Sequence, residues 1–136
     1  MHTVLVDTNA YVAFKRNDPT ILKVFQHVPH IIVPPIVLGE LLAGFLLGRR
    51  EPQNREDLAR FLDAPRVEIL SATEKTADYY ALIYGGLRKK GRPIPSNDLW
   101  IAAAAIERGA SLLTLDSHFK NIDGLRTGSC LEDFFP

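Results

Sequence analysis

Four short apolar runs, each separated from the next by segments that repeat apolar residues at helical spacing, constrain this chain more than any other feature. Thr3-Val4-Leu5-Val6, Ile31-Ile32-Val33, Val67-Glu68-Ile69-Leu70 and Ser111-Leu112-Leu113-Thr114-Leu115 all have the length and β-branched or leucine-rich content of buried strands. The first ends at Asp7-Thr8-Asn9, which read as turn and cap residues. Asp18-Pro19-Thr20 then opens a helix striped by Ile21, Leu22, Val24, Phe25 and Val28. Pro34-Pro35 ends the second strand and opens a helix over 36–48, and residues 49–63 form an amphipathic surface helix stopped by Pro65. Residues 74–90, capped by Thr73 or Ser71, place Ala77, Tyr80, Ala81, Ile83, Tyr84 and Leu87 at helical spacing. Ser96-Asn97-Asp98 caps a last helix over 98–108, closed by Gly109. Strands alternating with helices predict an α/β fold: a three-layer α/β/α sandwich around a mostly parallel four- to five-stranded sheet. Its fifth strand is expected near Leu125-Arg126-Thr127.

At 136 residues the chain suits a single domain, residues 1–136, that buries roughly two-thirds of its unfolded surface. With 46% apolar and 24% charged residues it is too hydrophobic for an intrinsically disordered chain. The uncharged stretch from Ile31 to Leu47 is interrupted by Glu40, short of the roughly 20 apolar residues of a spanning helix. Asp7 cuts off any signal-peptide core, so no membrane association and a cytoplasmic location are expected. The single cysteine, Cys130, forms no internal disulfide and argues against structural zinc. Sixteen basic and sixteen acidic residues leave no global positive field, so any contact with nucleic acid has to come from a local patch.

In an open α/β sheet, ligands bind outside the carboxyl ends of the strands. Asp7 ends the first strand, Asp116 ends the fourth, and Asp98 lies in the first turn of the helix that feeds the fourth, so all three belong to one sheet edge. Glu40 stands out differently. It sits in Ile36-Val37-Leu38-Gly39-Glu40-Leu41-Leu42-Ala43, a helix apolar on nearly every face, where an unpaired carboxylate costs several kcal/mol of desolvation. With no Lys or Arg between Lys23 and Arg49, a metal or a distant partner is the expected compensation. Taken singly, Asp7 and Asp98 read equally well as helix caps, Asp116 as a turn and Glu40 as a surface residue. Taken together, four carboxylates at one edge repel one another unless divalent cations neutralise them, and oxygen ligands select Mg²⁺ or Mn²⁺. His27 and His30 give no zinc motif and read as a solvated loop pair.

The chain resembles the PIN-domain family, in particular the VapC-type toxins of toxin–antitoxin pairs. The resemblance is carried by Val6-Asp7-Thr8-Asn9, Glu40, Pro95-Ser96-Asn97-Asp98-Leu99-Trp100-Ile101-Ala102-Ala103 and Leu113-Thr114-Leu115-Asp116-Ser117-His118-Phe119, in that order. It implies a single PIN-like nuclease domain: an endoribonuclease dependent on Mg²⁺ or Mn²⁺, with Asp7, Glu40, Asp98 and Asp116 as its catalytic and metal-binding quartet. Asp7 and Asp98 form the principal metal site in this reading, Asp116 completes it, and Glu40 acts through water. Some relatives carry a further acidic residue two positions after the last aspartate, where this chain has His118. Thr8, Asn9 and Ser96 read either as contacts to substrate phosphate or as caps, and His118 either as a substrate contact or as a turn or core residue. Arg88, Lys89, Lys90 and Arg92 form a candidate RNA-binding run, with Arg49, Arg50, Arg55 and Arg60 a second group. The resemblance also implies a type II toxin with a cognate antitoxin and a homodimer. The alternative is a noncatalytic PIN-fold domain that binds RNA or acts as a scaffold. A receiver domain, which needs an acidic pair after the first strand, and a haloacid-dehalogenase-like phosphatase, which needs Asp-x-Asp, both fail at Thr8 and Asn9.

Overall fold

The computed structural model describes residues 2–136. Strands β1 (Thr3–Val6), β2 (His30–Val33), β3 (Val67–Ile69), β4 (Ser111–Leu113) and β5 (Thr127–Gly128) form one sheet in the order β3-β2-β1-β4-β5. Every pairing is parallel, with Leu5 opposite Ile32 on one side and Leu112 on the other. Leu5, Ile32 and Leu112 are fully buried, as expected of central strands covered by helices on both faces. Strand order reverses beside β1, whose chain leads to β2 while its other neighbour is β4. That reversal opens a crevice at the carboxyl ends of β1 and β4, and Asp7 and Asp116 stand at its two sides.

The helices are α1 (Thr8–Lys15), α2 (Pro19–His27), α3 (Pro35–Leu47), α4 (Glu51–Leu62), α5 (Glu74–Lys90), α6 (Ser96–Glu107) and α7 (Leu131–Phe134), with a 3-10 helix at Ser117–Asn121. Helix α1 is the main departure from expectation. Residues read as a turn begin a two-turn helix, because Asp7 caps it from the strand end and Ala10 and Tyr11 bury its inner face. Tyr11, Phe14, Phe25 and Phe61 then join α1, α2 and α4 in one ring cluster, with Phe14 stacked on Phe25 at 4.2 Å. Helix α6 starts at Ser96, two residues earlier than expected, with Pro95 as its N-cap, so Asp98 is the third helical residue and not a cap. Strand β4 stops at Leu113, two residues short of the expected Leu115, leaving Thr114 buried against Asp7 and Leu115 exposed, and β5 lies slightly later than expected. His30 is no solvated loop residue. It is the first residue of β2, between Thr3 at 3.2 Å and Glu68 at 3.0 Å. Among the described residues no helix is long and apolar enough to cross a membrane.

Gly128 shows how tightly the last strand is packed. A Cβ there would lie 2.6 Å from Phe134 Cζ and 2.7 Å from Asp133 Cβ. Gly128→Ala is expected to cost about 1–3 kcal/mol by pushing α7 off β5, read as a lowered midpoint in thermal denaturation.

Candidate active site

The four carboxylates converge on the crevice, and neighbouring side chains hold each of them. Asp7 is buried, 5% exposed, at the N-cap of α1. Its Oδ1 accepts the Thr8 backbone N–H at 2.8 Å and its Oδ2 accepts the Thr114 hydroxyl at 2.7 Å. The Thr8 side chain in turn donates to Glu40 Oε1 at 2.6 Å, and Asn97 Nδ2 donates to Glu40 Oε2 at 3.2 Å. Neutral donors from α1 and α6 therefore stabilise Glu40, distant partners of the kind expected as the alternative to a metal. Asn9 Oδ1 accepts the Leu115 N–H at 3.1 Å and ties the start of α1 to the segment after β4.

On the other side, His118 stands between Asp98 and Asp116. Its Nε2 lies 2.7 Å from Asp98 Oδ2 and its Nδ1 lies 2.6 Å from Asp116 Oδ1. Asp116 also caps the 3-10 helix through the His118 N–H at 3.1 Å, while its own N–H donates to the Thr114 hydroxyl at 3.0 Å. His118 thus lies in the carboxylate cluster while its backbone N–H completes the cap of the 3-10 helix. Ser96 is exposed on the first residue of α6 and takes no part in this network.

Electrostatics agree with the geometry. Burial pushes the Asp7 carboxyl above its ordinary range, with the charges of Asp98 and Glu40 adding to the rise against hydrogen bonds from Thr114 and Thr8. Burial likewise raises Asp98, and Glu40 and Asp116 add to it while His118 opposes. These are carboxylates gathered with too little positive charge around them. Donor atoms of Asp98, Asp116 and His118 all lie within 4.8 Å of one another, a spacing that one divalent ion can span. Asp7 flanks that trio and couples to it through Asp98. The donor chemistry, carboxylate oxygen with one imidazole, fits a hard or borderline divalent cation.

Two contributors escaped the sequence reading. Thr114 links Asp7 to Asp116, and its signal was its place in Leu-Thr-Leu-Asp, where a polar residue follows the last buried leucine. Asn97 was read only as a cap although it reaches across to Glu40. The basic runs are partly engaged elsewhere. Arg88 lies over the Tyr84 ring at 5.7 Å, and Lys90 donates to Asn121 O at 2.7 Å and Asp123 at 2.6 Å, pinning α5 to the end of the 3-10 helix. Lys89 and Arg92 remain exposed, near the start of α6. In the second group, Arg55 pairs with Glu51 and Arg60 with Glu56 and Asp57, while Arg49 and Arg50 are exposed just ahead of α4.

The sequence profile of the PIN domain matches residues 4–125. Ribonuclease VapC1 of Haemophilus influenzae strain R2866 is 33% identical over 116 residues, covering 81% of this chain and 84% of that protein. Among solved structures, VapBC2 from Rickettsia felis bound to a DNA fragment from their promoter superposes with a TM-score of 0.84 at 31% identity, covering 93% of this chain and 97% of that one. The DNA-bound VapBC of Salmonella typhimurium gives 0.84 at 27% identity, covering 94% and 98%. A match over nearly the whole fold, with the carboxylates gathered where the sheet order reverses, identifies the chain as a member of the PIN domain family.

Proposed function

We propose that this protein is a metal-dependent endoribonuclease and the toxin of a type II toxin–antitoxin pair. The observation that carries the reading is the convergence of Asp7, Glu40, Asp98 and Asp116 on one crevice, with Asp7 and Asp98 both raised by burial and by their acidic neighbours. The VapC name of its relatives supports RNA as the substrate, and the VapBC assemblies among its structural neighbours support a cognate antitoxin as the partner. Leu46 and Leu47 at the end of α3, 67% and 87% exposed, support an apolar contact with a second chain, in keeping with a homodimer.

Mg²⁺ or Mn²⁺, held by Asp98 and Asp116 with Asp7 alongside, would supply Lewis acidity that activates water and offsets charge on the scissile phosphate. The chain's own residues supply the placement. The Thr114 hydroxyl donates to the Asp7 carboxylate and accepts the Asp116 backbone N–H, which ties the end of β1 to the segment after β4. Glu40, oriented by Thr8 and Asn97 from both sides, keeps its carboxylate aimed into the crevice, where it can accept a hydrogen from the attacking water. Lys89 and Arg92 are free to meet RNA backbone near α6.

A pool of structured cellular RNAs incubated with the protein in Mg²⁺, Mn²⁺ or EDTA tests the reading. Discrete products that need either ion and stop in EDTA are expected, because RNA recognition by proteins favours exposed loops and single strands. Products undiminished by EDTA, or an intact pool under both ions, would overturn it.

A further inference from the structure

We propose that His118 is itself a ligand of the divalent ion and that it sets the ion preference, favouring Mn²⁺ over Mg²⁺. The inference rests on the reading of this crevice as a metal centre and adds to it which side chain decides the ion.

The imidazole is built in. Asp116 holds the His118 backbone N–H at 3.1 Å, Asn121 Nδ2 donates to its carbonyl at 3.2 Å, and the fully buried Phe119 stacks against the ring at 4.8 Å. A solvated surface histidine needs none of these supports. One ring nitrogen faces Asp98 and the other faces Asp116, the two carboxylates with which it shares the 4.8 Å donor cluster. Donors about 2.1 Å from an octahedral ion lie about 3–4.2 Å apart, and the His118 nitrogens stand 2.7 and 2.6 Å from Asp98 and Asp116, so one ion enters among the three when the ring swings off one carboxylate. Histidines that bind metals almost always give their second nitrogen to a carboxylate or carbonyl, which fixes the ring. His118 has a carboxylate on either side, so whichever nitrogen turns to the ion leaves the other with such a partner.

The chemical consequence follows from the nitrogen. Mg²⁺ is hard, gives up water reluctantly and takes oxygen ligands, whereas imidazole suits the transition ions. Mn²⁺ tolerates both carboxylate and imidazole in an octahedral site, so one nitrogen among the oxygens separates the two ions. A chain with an acidic residue in place of His118 would offer oxygen alone and discriminate less.

The test measures binding, apart from catalysis. Wild type, H118D, H118A and D98N are titrated with Mn²⁺ by electron paramagnetic resonance, with Mg²⁺ as competitor, after thermal denaturation in chelator has confirmed that each is folded. Wild type is expected to bind Mn²⁺ more tightly than Mg²⁺, and H118D to shrink that ratio by about tenfold. H118A is expected to lose Mn²⁺ affinity more than Mg²⁺ affinity. Spin-echo modulation from a ¹⁴N nucleus on bound Mn²⁺ should be present in wild type and absent in H118D. An unchanged ratio in both His118 variants, or no ¹⁴N modulation in wild type, would overturn the proposal. So would H118A binding both ions more tightly in equal measure, since an imidazole that merely occupies the site would then be expelled by either ion. If D98N abolishes binding while the ratio ignores His118, the metal centre stands and the ligand assignment fails. If wild type binds neither ion, the metal centre falls with it.

Discussion

Asp98→Asn is expected to reduce RNA cleavage by at least about 10²-fold while making the ion-free protein more stable. The two effects have one origin. Asp98 is only partly exposed on the third residue of α6, and burial raises its carboxyl, with Glu40 and Asp116 adding to the rise. A carboxyl whose value is higher folded than unfolded stabilises the fold while it keeps its proton, and that contribution is lost as pH rises through the folded value. The ion-free protein is therefore expected to lose stability as pH rises from the ordinary carboxylate value, 3.8 for aspartate, through the raised values of Asp98 and Asp7. Asparagine at 98 keeps the shape and removes the charge, so at pH 7 in chelator its melting midpoint should exceed that of wild type. Near pH 4 the two midpoints should approach each other. Adding Mn²⁺ or Mg²⁺ should reverse the order, because a ligand that binds only the folded state stabilises the protein that can bind it. A folded Asp98→Asn that melts below wild type in chelator at pH 7 would contradict this account of the site.

The same physics explains what could be read from residues alone. The strand end at Asp7 was legible because a buried apolar run that stops at a carboxylate has few other places to put it, whereas β4 stops at Leu113, three residues before Asp116. Glu40 was legible as a charge inside Val37-Leu38-Gly39-Glu40-Leu41-Leu42 that needs a metal or a distant partner, but which residues supply that partner was not. A search for Lys or Arg looks for charge, and Thr8 and Asn97 compensate by hydrogen bonding from α1 and α6, 32 and 57 residues away. Helix α1 was hidden because Thr8 and Asn9 have the composition of a turn, and only the packing of Ala10 and Tyr11 makes a helix the better use of them. The position of His118 depended on α6 lying beside the end of β4, so that residues 98 and 118 meet, and no local pattern carries that distance. Local punctuation located the edge of the site, and tertiary packing decided which side chains face one another across it.

Phe119→Ala is expected to be the most damaging single change near the site that alters no polar group, at about 3–5 kcal/mol. Phe119 is fully buried on the 3-10 helix, joins the main core and stacks against His118 at 4.8 Å with 29° between the rings. Removing the ring opens a cavity under the segment that carries Asp116 and His118, in a fold whose total stability is of order 5–15 kcal/mol. The melting midpoint should fall steeply, and cleavage should fall further than the loss of folded protein alone explains. Phe119→Leu separates the two contributions, since it keeps most of the apolar volume at a cost below about 1.5 kcal/mol but removes the stacked ring. If stacking fixes the imidazole, Phe119→Leu should melt close to wild type and still gain less from added Mn²⁺. If instead both variants gain the full wild-type increment from the ion, Phe119 supports the core alone, and Asp116 must be held by Thr114 and by its own cap on the His118 N–H.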